Sequence, residues 1–384
     1  MTCRTLFVVA LCFCSSLASI QLPKLLGPNP VGTRRIEVID QGRLDPWAPK
    51  PTPRAPILQF WYPIERDKSL EAAPWLPPNA AKWQEDDWEV PHGTLAGIKT
   101  RTFADGTAIF PLTENSTTPV LVFSPGSGAL CAWYSGFLSS LASFGYTIIG
   151  VDHPYDSAPL ERPNGELILQ ANTTDDIAFA AQVRKADVLW LAGQIARESL
   201  CRWLSSKTAC EKRLGENISL GVFGQSLGGT TANLAMQDST TLYKSSISID
   251  GPFLKPLNQT GFHGPLFYMA AENSTLHNVL VKEWPIIDGW KLAVKVKGTV
   301  HISFSDFPAL SPDLPEGDWG DVGSIEAKKI NEIMAIYIKE FWDWTLLGKR
   351  DGTLLKHESE EFPEVVFQHL DKDTGLGKHL KEDL

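Results

Sequence analysis

One short stretch constrains the fold of this chain more than any other. Residues 218–223 are an apolar run, and Gly224-Gln225-Ser226-Leu227-Gly228 follows directly. Residues 229–236 are mostly small and favour a helix. This order is typical of a nucleophile elbow, in which a serine turns sharply between a strand and a helix. Ser226 is therefore a candidate nucleophile, and the alternative is an ordinary tight turn.

Apolar runs alternate with helical patterns along much of the remaining chain. Strands are predicted at residues 36–39, 57–64, 120–123, 146–151, 245–249, 266–270 and 292–300, and helices at 133–144, 173–200 and 324–347. The middle helix carries an apolar stripe formed by Ile177, Ala181, Val188, Leu191 and Ile195. Continuous apolar strands between helices indicate an α/β protein whose mainly parallel sheet has helices on both faces. With the elbow, this pattern predicts an α/β-hydrolase fold.

The chain divides into a signal peptide and one long domain. Residues 1–18 are the predicted signal, 19–350 a single α/β-hydrolase domain, and 351–384 a charged, loosely attached C-terminal tail. Residues 65–118 show little periodicity and carry tryptophans among prolines and acids. We interpret them as an insertion over one end of the core. They form either a lid or pocket wall, or a surface-packed loop.

The N-terminal residues have the features of a secretory signal peptide. Arg4 supplies a positive charge, residues 6–13 are apolar, and Ser16-Leu17-Ala18 supplies small residues suited to cleavage after Ala18. The apolar run is too short to span a bilayer. We therefore expect a secreted, extracellular protein, and a buried N-terminal segment is the alternative.

Glycosylation sites and cysteines agree with secretion. Asn-x-Ser/Thr sites fall in predicted loops or element edges, at Asn115, Asn172, Asn217, Asn258 and Asn273. Beyond the signal, Cys201 and Cys210 lie close together in sequence and flank a polar stretch, so we predict a disulfide between them. Cys131 is then unpaired, and we interpret it as a small buried apolar residue.

Charge and aromatic content bear on the partners of this chain. The formal net charge of −10 argues against nucleic acid, or an anionic membrane, as a steady partner. The last predicted helix ends with the aromatic residues Phe341, Trp342 and Trp344. We expect these side chains to pack on the sheet, and transient contact with a lipid surface is the alternative.

Three acids stand at the ends of predicted strands, where catalytic side chains lie in an α/β sheet. They are Asp152, Asp250 and Glu272. Asp250 ends the strand after the elbow, in Ile-Asp-Gly-Pro, and is the favoured acid. Glu272 lies one strand further on, at the more usual location in this fold, and remains the competitor.

His301 is the favoured general base because it follows the last apolar strand, after either acid. This position gives the Ser…acid…His order of the fold. The alternative is a histidine that is merely satisfied at a strand end. His153 also follows a strand but precedes the nucleophile, so it could instead line the pocket. His92, His263 and His277 lie in predicted loops without such context.

An oxyanion hole requires two backbone N–H groups directed at the developing oxyanion. Leu227, the residue after the nucleophile, is expected to supply one of them. The turn Gly126-Ser127-Gly128 follows the predicted strand 120–123, and Ser127 is expected to supply the other. His301 would take the Ser226 proton while an acid, with Asp250 favoured, orients the imidazole, in a mechanism without metal or cofactor.

Several segments form an ordered set along residues 57–310. They are 120–128 with Tyr134, Val151-Asp152-His153, the elbow 224–228, Asp250-Gly251, and His301-Ile302-Ser303-Phe304-Ser305-Asp306-Phe307. This set resembles the secreted, plasma-type platelet-activating factor acetylhydrolase family, also called lipoprotein-associated phospholipase A2. The segment that begins at His301 is the most specific part of the resemblance.

The resemblance implies a catalytic acid and a substrate class. Asp250 rather than Glu272 becomes the acid, and the chain becomes a calcium-independent, phospholipase-type esterase acting on acetyl, short or oxidised acyl chains. One position departs from the family, because Pro125 stands where a histidine is common in the oxyanion loop. Proline has no N–H, but the expected donor lies further along, at Ser127. The insertion 65–118 matches no segment of the family.

Two other functions fit the same sequence. A general carboxylesterase or polyester hydrolase would use the same triad and differ in pocket shape. A catalytically inactive binding protein of this fold would lack part of the triad, whereas Ser226, Asp250 and His301 are all present. We therefore expect an enzyme that hydrolyses a small lipid ester.

Overall fold

A computed structural model of the chain describes residues 20–67, 69–108, 117–196, 203–204, 217–238, 241–254, 262–275, 277–314, 320–368 and 370. Its strands are β1 Val31–Glu37, β2 Asp40–Leu44, β3 Pro53–Arg54, β4 Ile57–Pro63, β5 Ala72–Pro74, β6 Lys99–Ala104, β7 Thr117–Ser124, β8 Thr147–Asp152, β9 Leu160–Glu161, β10 Leu167–Ile168, β11 Asn217–Gln225, β12 Ser245–Ile249, β13 Leu266–Ala271, β14 Lys291–Val296 and β15 Val365–Phe367. Within these residues, eleven strands form one sheet in the order β15-β14-β13-β12-β11-β7-β8-β4-β1-β6-β5. Strands β2 and β3, and β9 and β10, form two small separate pairs.

The centre of the sheet is parallel. Strands β8, β7, β11, β12, β13 and β14 each run parallel to their neighbours in that set. Strand β4 joins β8 antiparallel on one side, and β15 joins β14 antiparallel on the other. The carboxyl ends of the parallel strands therefore meet at one edge, where α/β folds place functional side chains. The predicted fold class, an α/β-hydrolase with a mainly parallel sheet, is confirmed.

Helices cover both faces of this sheet. They are α1 Pro78–Asp87, α2 Ser135–Ser143, α3 Ile177–Ile195, α4 Leu227–Asp238, α5 His277–Glu283, α6 Phe307–Leu310 and α7 Ala327–Leu347, with 3₁₀ turns at Cys131–Tyr134, Thr174–Asp176, Trp284–Ile286 and His301–Phe304. Because side chains alternate along a strand, β7 directs Phe123 toward α2 and α7 and Val122 toward α3 and α4. The sheet therefore has an extensive apolar core on each face.

Several element ends differ from the sequence expectation. Strand β1 begins before the predicted residue 36. Helix α3 ends at Ile195 rather than residue 200, and β14 ends at Val296 rather than residue 300. Ile177, the first residue of α3, belongs to the predicted apolar stripe, but its side chain is exposed.

The aromatic end of α7 packs against the protein. Phe341 and Trp342 are fully buried, and the Trp342 ring lies where a side chain at Gly221 would stand. Trp344 contacts Trp290 edge-on with ring centroids 4.7 Å apart. These contacts agree with the expected packing on the sheet. In the part of the chain that is described, no helix has the length and apolar character needed to cross a membrane.

The segment after α7 is not a loosely attached tail. Strand β15 pairs with β14, and Leu355, Phe362 and Val365 are buried in the core formed by α2 and α7. The charges of this segment lie on its outer side, which is why composition alone suggested a solvated tail. Residues 371–384 lie outside the described residues.

The insertion shares a small apolar core with neighbouring segments of the chain. Strand β5 pairs with β6, which extends the sheet beside β1, and α1 packs nearby. Trp75 and Leu95 are buried against Leu130 and Leu310, which belong to the segments after β7 and after His301. This packing places the described part of the insertion beside loops that border the candidate site, and the choice between a pocket wall and a surface-packed loop stays a prediction.

Several predictions about covalent modification fall on residues outside the described ranges. These are the signal at residues 1–18, the Cys201–Cys210 disulfide, and the sites Asn115 and Asn258. Asn172 and Asn273 have exposed side chains in a bend and a turn, and Asn217 is the first residue of β11. Cys131 is a buried free thiol whose pKa is raised by burial.

Candidate active site

Ser226 occupies a strained turn between β11 and α4. Its φ is +55°, a left-handed value that is unusual for a residue with a side chain. The Ser226 N–H donates to Ile249 O at 2.8 Å, and its carbonyl accepts from the N–H of Gly229 and Thr230. These bonds hold the strained residue between the end of a strand and the first turn of a helix. This is the geometry of a nucleophile elbow.

Gly224 and Gly228 make the elbow possible because the chain passes very close to itself there. A Cβ on Gly228 would lie 1.9 Å from Ser124 O. A Cβ on Gly224 would lie 2.3 Å from the carbonyl carbon of Gly228. Both separations are far below van der Waals contact, so neither position accepts a side chain without movement of the backbone.

His301 and Asp250 form a short hydrogen bond next to the elbow. His301 Nδ1 lies 2.6 Å from Asp250 Oδ2, and Asp250 Oδ1 accepts from Ala271 N–H at 3.1 Å. The Asp250 residue is 3% exposed, whereas the His301 side chain is 54% exposed. Burial raises the pKa of Asp250, but hydrogen bonds from His301 and Ser274 outweigh it, so the pKa lies below the usual value. An ionised Asp250 assigns the Nδ1 proton to the histidine.

The competing acid, Glu272, has a different role in the structure. Its Oε2 accepts from Gly298 N–H at 2.6 Å, and its own N–H donates to Thr299 O at 3.1 Å. These bonds shape the turn that precedes His301. The structure therefore brings Asp250, and not Glu272, to the imidazole.

The second imidazole nitrogen faces Gln225. His301 Nε2 lies 3.3 Å from Gln225 Nε2, and Gln225 Nε2 also donates to His301 O at 3.1 Å. Among the described residues, no hydrogen bond joins Ser226 Oγ to His301. Bonds between nucleophile and base are often long before a substrate is bound and tighten in the complex.

The loop after β7 borders the nucleophile. A Cβ on Gly126 would lie 3.5 Å from Ser226 Cβ. Gly126 N–H donates to Tyr134 Oη, and Gly126 O accepts from Arg184 Nη2 at 3.0 Å. In a trans peptide the carbonyl and the next N–H point in opposite directions, so the exposed Ser127 directs its N–H away from Arg184. The Leu227 N–H lies in the first turn of α4, where helix N–H groups have no intrahelical partner.

Residues 14–163 and 210–343 match the family described as platelet-activating factor acetylhydrolase, isoform II. These two segments are well over half of the chain. The chain belongs to this family. It is accordingly a carboxylic ester hydrolase.

One curated relative agrees with this assignment, and one solved structure agrees with the fold. A probable 1-alkyl-2-acetylglycerophosphocholine esterase from Arthroderma benhamiae is 27% identical over 398 residues, which cover 94% of this chain and 97% of that protein. The solved structure of a ferulic acid esterase from Streptomyces cinnamoneus aligns with a TM-score of 0.75 at 24% identity, covering 91% of this chain and 99% of that one. At that identity the second similarity supports the fold alone.

Arg184 of α3 binds the loop after β7 through the carbonyls of that loop. Its Nη1 donates to Pro125 O at 2.5 Å, and its Nε donates to Asp156 Oδ2 at 2.5 Å. Arg184 and Asp156 have fully buried side chains. Burial raises the pKa of Asp156, but the Arg184 guanidinium outweighs burial and holds it below the usual value. Pro125 lacks an N–H, yet its carbonyl is a fixed part of this arrangement.

A second buried hydrogen-bond network centres on His153 and Asp187. His153 Nδ1 lies 2.8 Å from Asp187 Oδ2, and His153 Nε2 lies 2.9 Å from Ser124 Oγ. Arg54 donates to both Asp187 and Asp45. Burial lowers the pKa of His153 to about 4, so its imidazole is neutral at pH 7. His153 is fully buried, so it supports the loop and does not line an open pocket as one alternative had it.

Sequence reasoning missed Arg184, Asp187 and Gln225. A signal for the first two was present, because positions 184 and 187 fall within the apolar stripe of α3 beside Val188. Charged residues in a buried stripe indicate buried ion pairs or a supporting role at a site. Gln225 stands at one of the two unspecified positions of the Gly-x-Ser-x-Gly motif, so nothing in the sequence pattern marks it.

Proposed function

We propose that this chain is a secreted serine esterase that hydrolyses the sn-2 acetyl or short acyl ester of platelet-activating factor-like phospholipids. Ser226 is the nucleophile, His301 the general base and Asp250 the acid that orients it. The observation that carries the proposal is the short Nδ1–Oδ2 bond of 2.6 Å between His301 and Asp250 beside a strained serine elbow. This arrangement occurs in a chain of the platelet-activating factor acetylhydrolase family.

The first chemical step is acylation of Ser226. His301 Nε2 takes the Oγ proton as Oγ attacks the ester carbonyl, and the ionised Asp250 stabilises the imidazolium that forms. The Leu227 and Ser127 N–H groups bind the oxyanion, each worth roughly 3–4 kcal/mol in related sites. The imidazolium then protonates the leaving lysophospholipid alcohol. In the second step His301 activates water, which releases the carboxylic acid and restores Ser226.

The substrate follows from family and relative rather than from pocket shape. The relative from Arthroderma benhamiae is named as an esterase of 1-alkyl-2-acetylglycerophosphocholine, and it aligns with nearly the whole of this chain. A small lipid ester is thus the substrate class that we propose. Transient contact with a lipid surface would present such a substrate to the exposed His301 edge of the site.

The proposed substrate class is tested by comparing three esters. Purified protein is assayed on 1-alkyl-2-acetylglycerophosphocholine, on the same lipid with a long sn-2 acyl chain, and on an aryl acetate. We expect the acetyl lipid to have the highest kcat/KM. Hydrolysis of the aryl acetate without hydrolysis of either lipid would instead favour a general carboxylesterase or polyester hydrolase.

The nucleophile is tested by Ser226→Ala and by a fluorophosphonate probe. We expect the variant to lose at least about 10⁴-fold in kcat, and the probe to modify Ser226 in peptide mass spectra. Ser69→Ala is a matched control, because Ser69 is an exposed serine that bonds Asp67 far along the chain from the elbow. Full activity in Ser226→Ala, or labelling at another serine, would contradict the assignment of the nucleophile.

We also propose secretion with cleavage after Ala18, glycosylation, and a Cys201–Cys210 disulfide. The sequence features of residues 1–18 and the exposed Asn172 and Asn273 side chains support this proposal. Expression in a secretory eukaryotic host followed by N-terminal sequencing, glycosidase treatment and thiol titration tests it. An intact N-terminus with unmodified sequons, or three titratable thiols in the mature protein, would contradict it.

A further inference from the structure

Gln225 lies where the two halves of the candidate site meet. It is the last residue of β11, directly before Ser226, and it is 5% exposed. On one side its amide contacts Tyr134, and on the other it contacts His301. The amide therefore connects the oxyanion loop to the general base.

The direction of the Gln225 amide follows from Tyr134. Gly126 N–H donates to Tyr134 Oη at 3.2 Å, so the phenol uses its own proton toward Gln225 Oε1 at 2.9 Å. Burial raises the pKa of Tyr134 well above its ordinary value, and the phenol stays protonated. Because Oε1 accepts from Tyr134, Nε2 must face His301.

The Nε2 group has two protons and two acceptors at His301. One acceptor is the backbone carbonyl at 3.1 Å, and the other is the ring nitrogen Nε2 at 3.3 Å. The ring proton lies on Nδ1, directed at Asp250 Oδ2, so Nε2 of the neutral imidazole carries a lone pair. That lone pair is the one that must accept the Ser226 proton.

We propose that Gln225 is a positioning residue for ester hydrolysis, which fixes the resting imidazole of His301 and ties it to the oxyanion loop through Tyr134. This inference rests on the proposed function of Ser226 and His301. The proton moves from Ser226 Oγ to His301 Nε2, and then to the leaving alkoxide, while Gln225 neither gains nor loses one. Once Nε2 is protonated, it and Gln225 Nε2 are both donors. The imidazolium N–H is then released from Gln225 toward the leaving oxygen.

The experiment uses two substitutions of opposite character. Gln225→Met keeps the shape of the side chain but makes no hydrogen bond, so kcat should fall by about tenfold with little change in KM. Gln225→Glu places an acceptor beside His301 Nε2 and holds the imidazolium. The acid limb of the kcat/KM profile should therefore move to higher pH by about one unit, relative to both wild type and Gln225→Met.

Tyr134→Phe tests the connection to the oxyanion loop. It removes the proton that orients the amide and leaves Gly126 N–H without its acceptor, so kcat should fall without a change in KM. In the double variant Tyr134→Phe with Gln225→Met, the losses should be less than multiplicative, because both act through one hydrogen-bonded chain. Fully multiplicative losses would overturn the connection between Tyr134 and Gln225.

A matched control separates positioning from packing. Gln59 is 6% exposed on β4, its Oε1 has no hydrogen-bond partner in the described structure, and it is absent from the contacts of the candidate site. Gln59→Met should leave the kcat/KM profile unchanged. Wild-type kcat in Gln225→Met, together with a wild-type pH profile in Gln225→Glu, would overturn the role of Gln225. If the nucleophile probe still labels Ser226 in those variants, the proposed function survives that result.

Discussion

Two residues of the candidate site carry backbone strain at the ends of adjacent strands. Ser226 after β11 has φ +55°, and Asp250 after β12 has φ +48°. Such values cost on the order of 1–3 kcal/mol each for a residue with a side chain. Asp250 N–H donates to Met269 O at 2.7 Å, and Ser226 N–H is held in the same way by Ile249. Hydrogen bonds to the sheet thus hold Ser226 and Asp250 in these strained turns.

The choice between the two acids gives a residue-scale prediction. Asp250→Asn should lower kcat by about 10⁴-fold, because an amide at this position no longer fixes the imidazole tautomer. Glu272→Gln should stay within about threefold of wild type, since its contacts are to the Gly298 and Thr299 turn. Steady-state kinetics on an aryl acetate measures both. An inactive Glu272→Gln beside an active Asp250→Asn would reverse the assignment.

The elbow glycines give a second prediction at the same scale. Gly228→Ala places a methyl group 1.9 Å from Ser124 O, so α4 or β7 must move. We expect a loss of about 3 kcal/mol or more in the free energy of unfolding, together with a loss of activity. Gly193→Ala in α3 is the control, because a methyl group there meets nothing within 4 Å. It should stabilise the protein by about 0.5–1 kcal/mol in denaturant titrations. Equal unfolding midpoints for the two variants would contradict the close-approach argument.

At the scale of the element, α3 combines packing with support of the site. Val188 and Leu191 pack it on the sheet, while Arg184 binds the loop after β7 and Asp187 binds His153. Removing one partner of a buried ion pair costs about 3–5 kcal/mol because the other charge is left uncompensated. Helix α3 therefore couples stability to the position of the loop.

Substitution of Arg184 tests whether α3 supports the candidate site in addition to packing on the sheet. Arg184→Met should cost about 3–5 kcal/mol in unfolding free energy and lower kcat, because Asp156 loses its ion-pair partner and the Pro125 and Gly126 carbonyls are released. Arg184→Lys should not restore kcat, since lysine lacks the planar fork of donors. Lys185→Met is the control, because its partly exposed pair with Asp238 is worth at most about 1 kcal/mol. A stable Arg184→Met variant with wild-type kcat would contradict this role.

The sequence predicted those strands in which every consecutive residue is buried. Strand β13 has every residue buried, and its sequence is one uninterrupted apolar run, as expected of a parallel strand covered on both faces. The ends of helices and strands were harder to predict, because they depend on side-chain contacts. Strand β14 stops at Val296, where Thr299 Oγ1 donates to the Val296 carbonyl and Glu272 binds Gly298 N–H. An apolar pattern carries no trace of such bonds.

Only part of the candidate site could be predicted from the sequence, for a related reason. Ser226, Asp250 and His301 are marked by strand ends and chain order, which are local signals. Gln225 and Arg184 act through contacts with residues distant in sequence, such as the 76-residue separation between Gln225 and His301. Only the folded chain brings these partners together.

At the scale of the whole molecule, one buried carboxylate joins three distant segments. Asp306 follows His301, accepts from Trp75 Nε1 of the insertion at 2.9 Å, and accepts from Gly136 N–H of α2 at 2.8 Å. Trp88, Trp133 and Phe307 pack together around the same junction. The insertion, helix α2 and the segment after His301 are therefore joined by one buried hydrogen-bond acceptor.

Asp306 makes the stability of this junction depend on pH. Burial raises its pKa to about 7 from 3.8, against hydrogen bonds from Gly136, Trp75 and Ser135. The folded state therefore holds this proton more tightly than the unfolded chain. Its stabilising effect is complete below about pH 4 and is lost as pH rises to about 7, on the order of 4 kcal/mol in all.

The difference in unfolding free energy between wild type and Asp306→Asn should fall over that window, because Asn cannot ionise. Trp75→Phe removes a donor that favours the ionised form and should extend the window to higher pH. Urea titrations from pH 4 to 8 measure both, and a difference that stays constant across the window would contradict the role of Asp306.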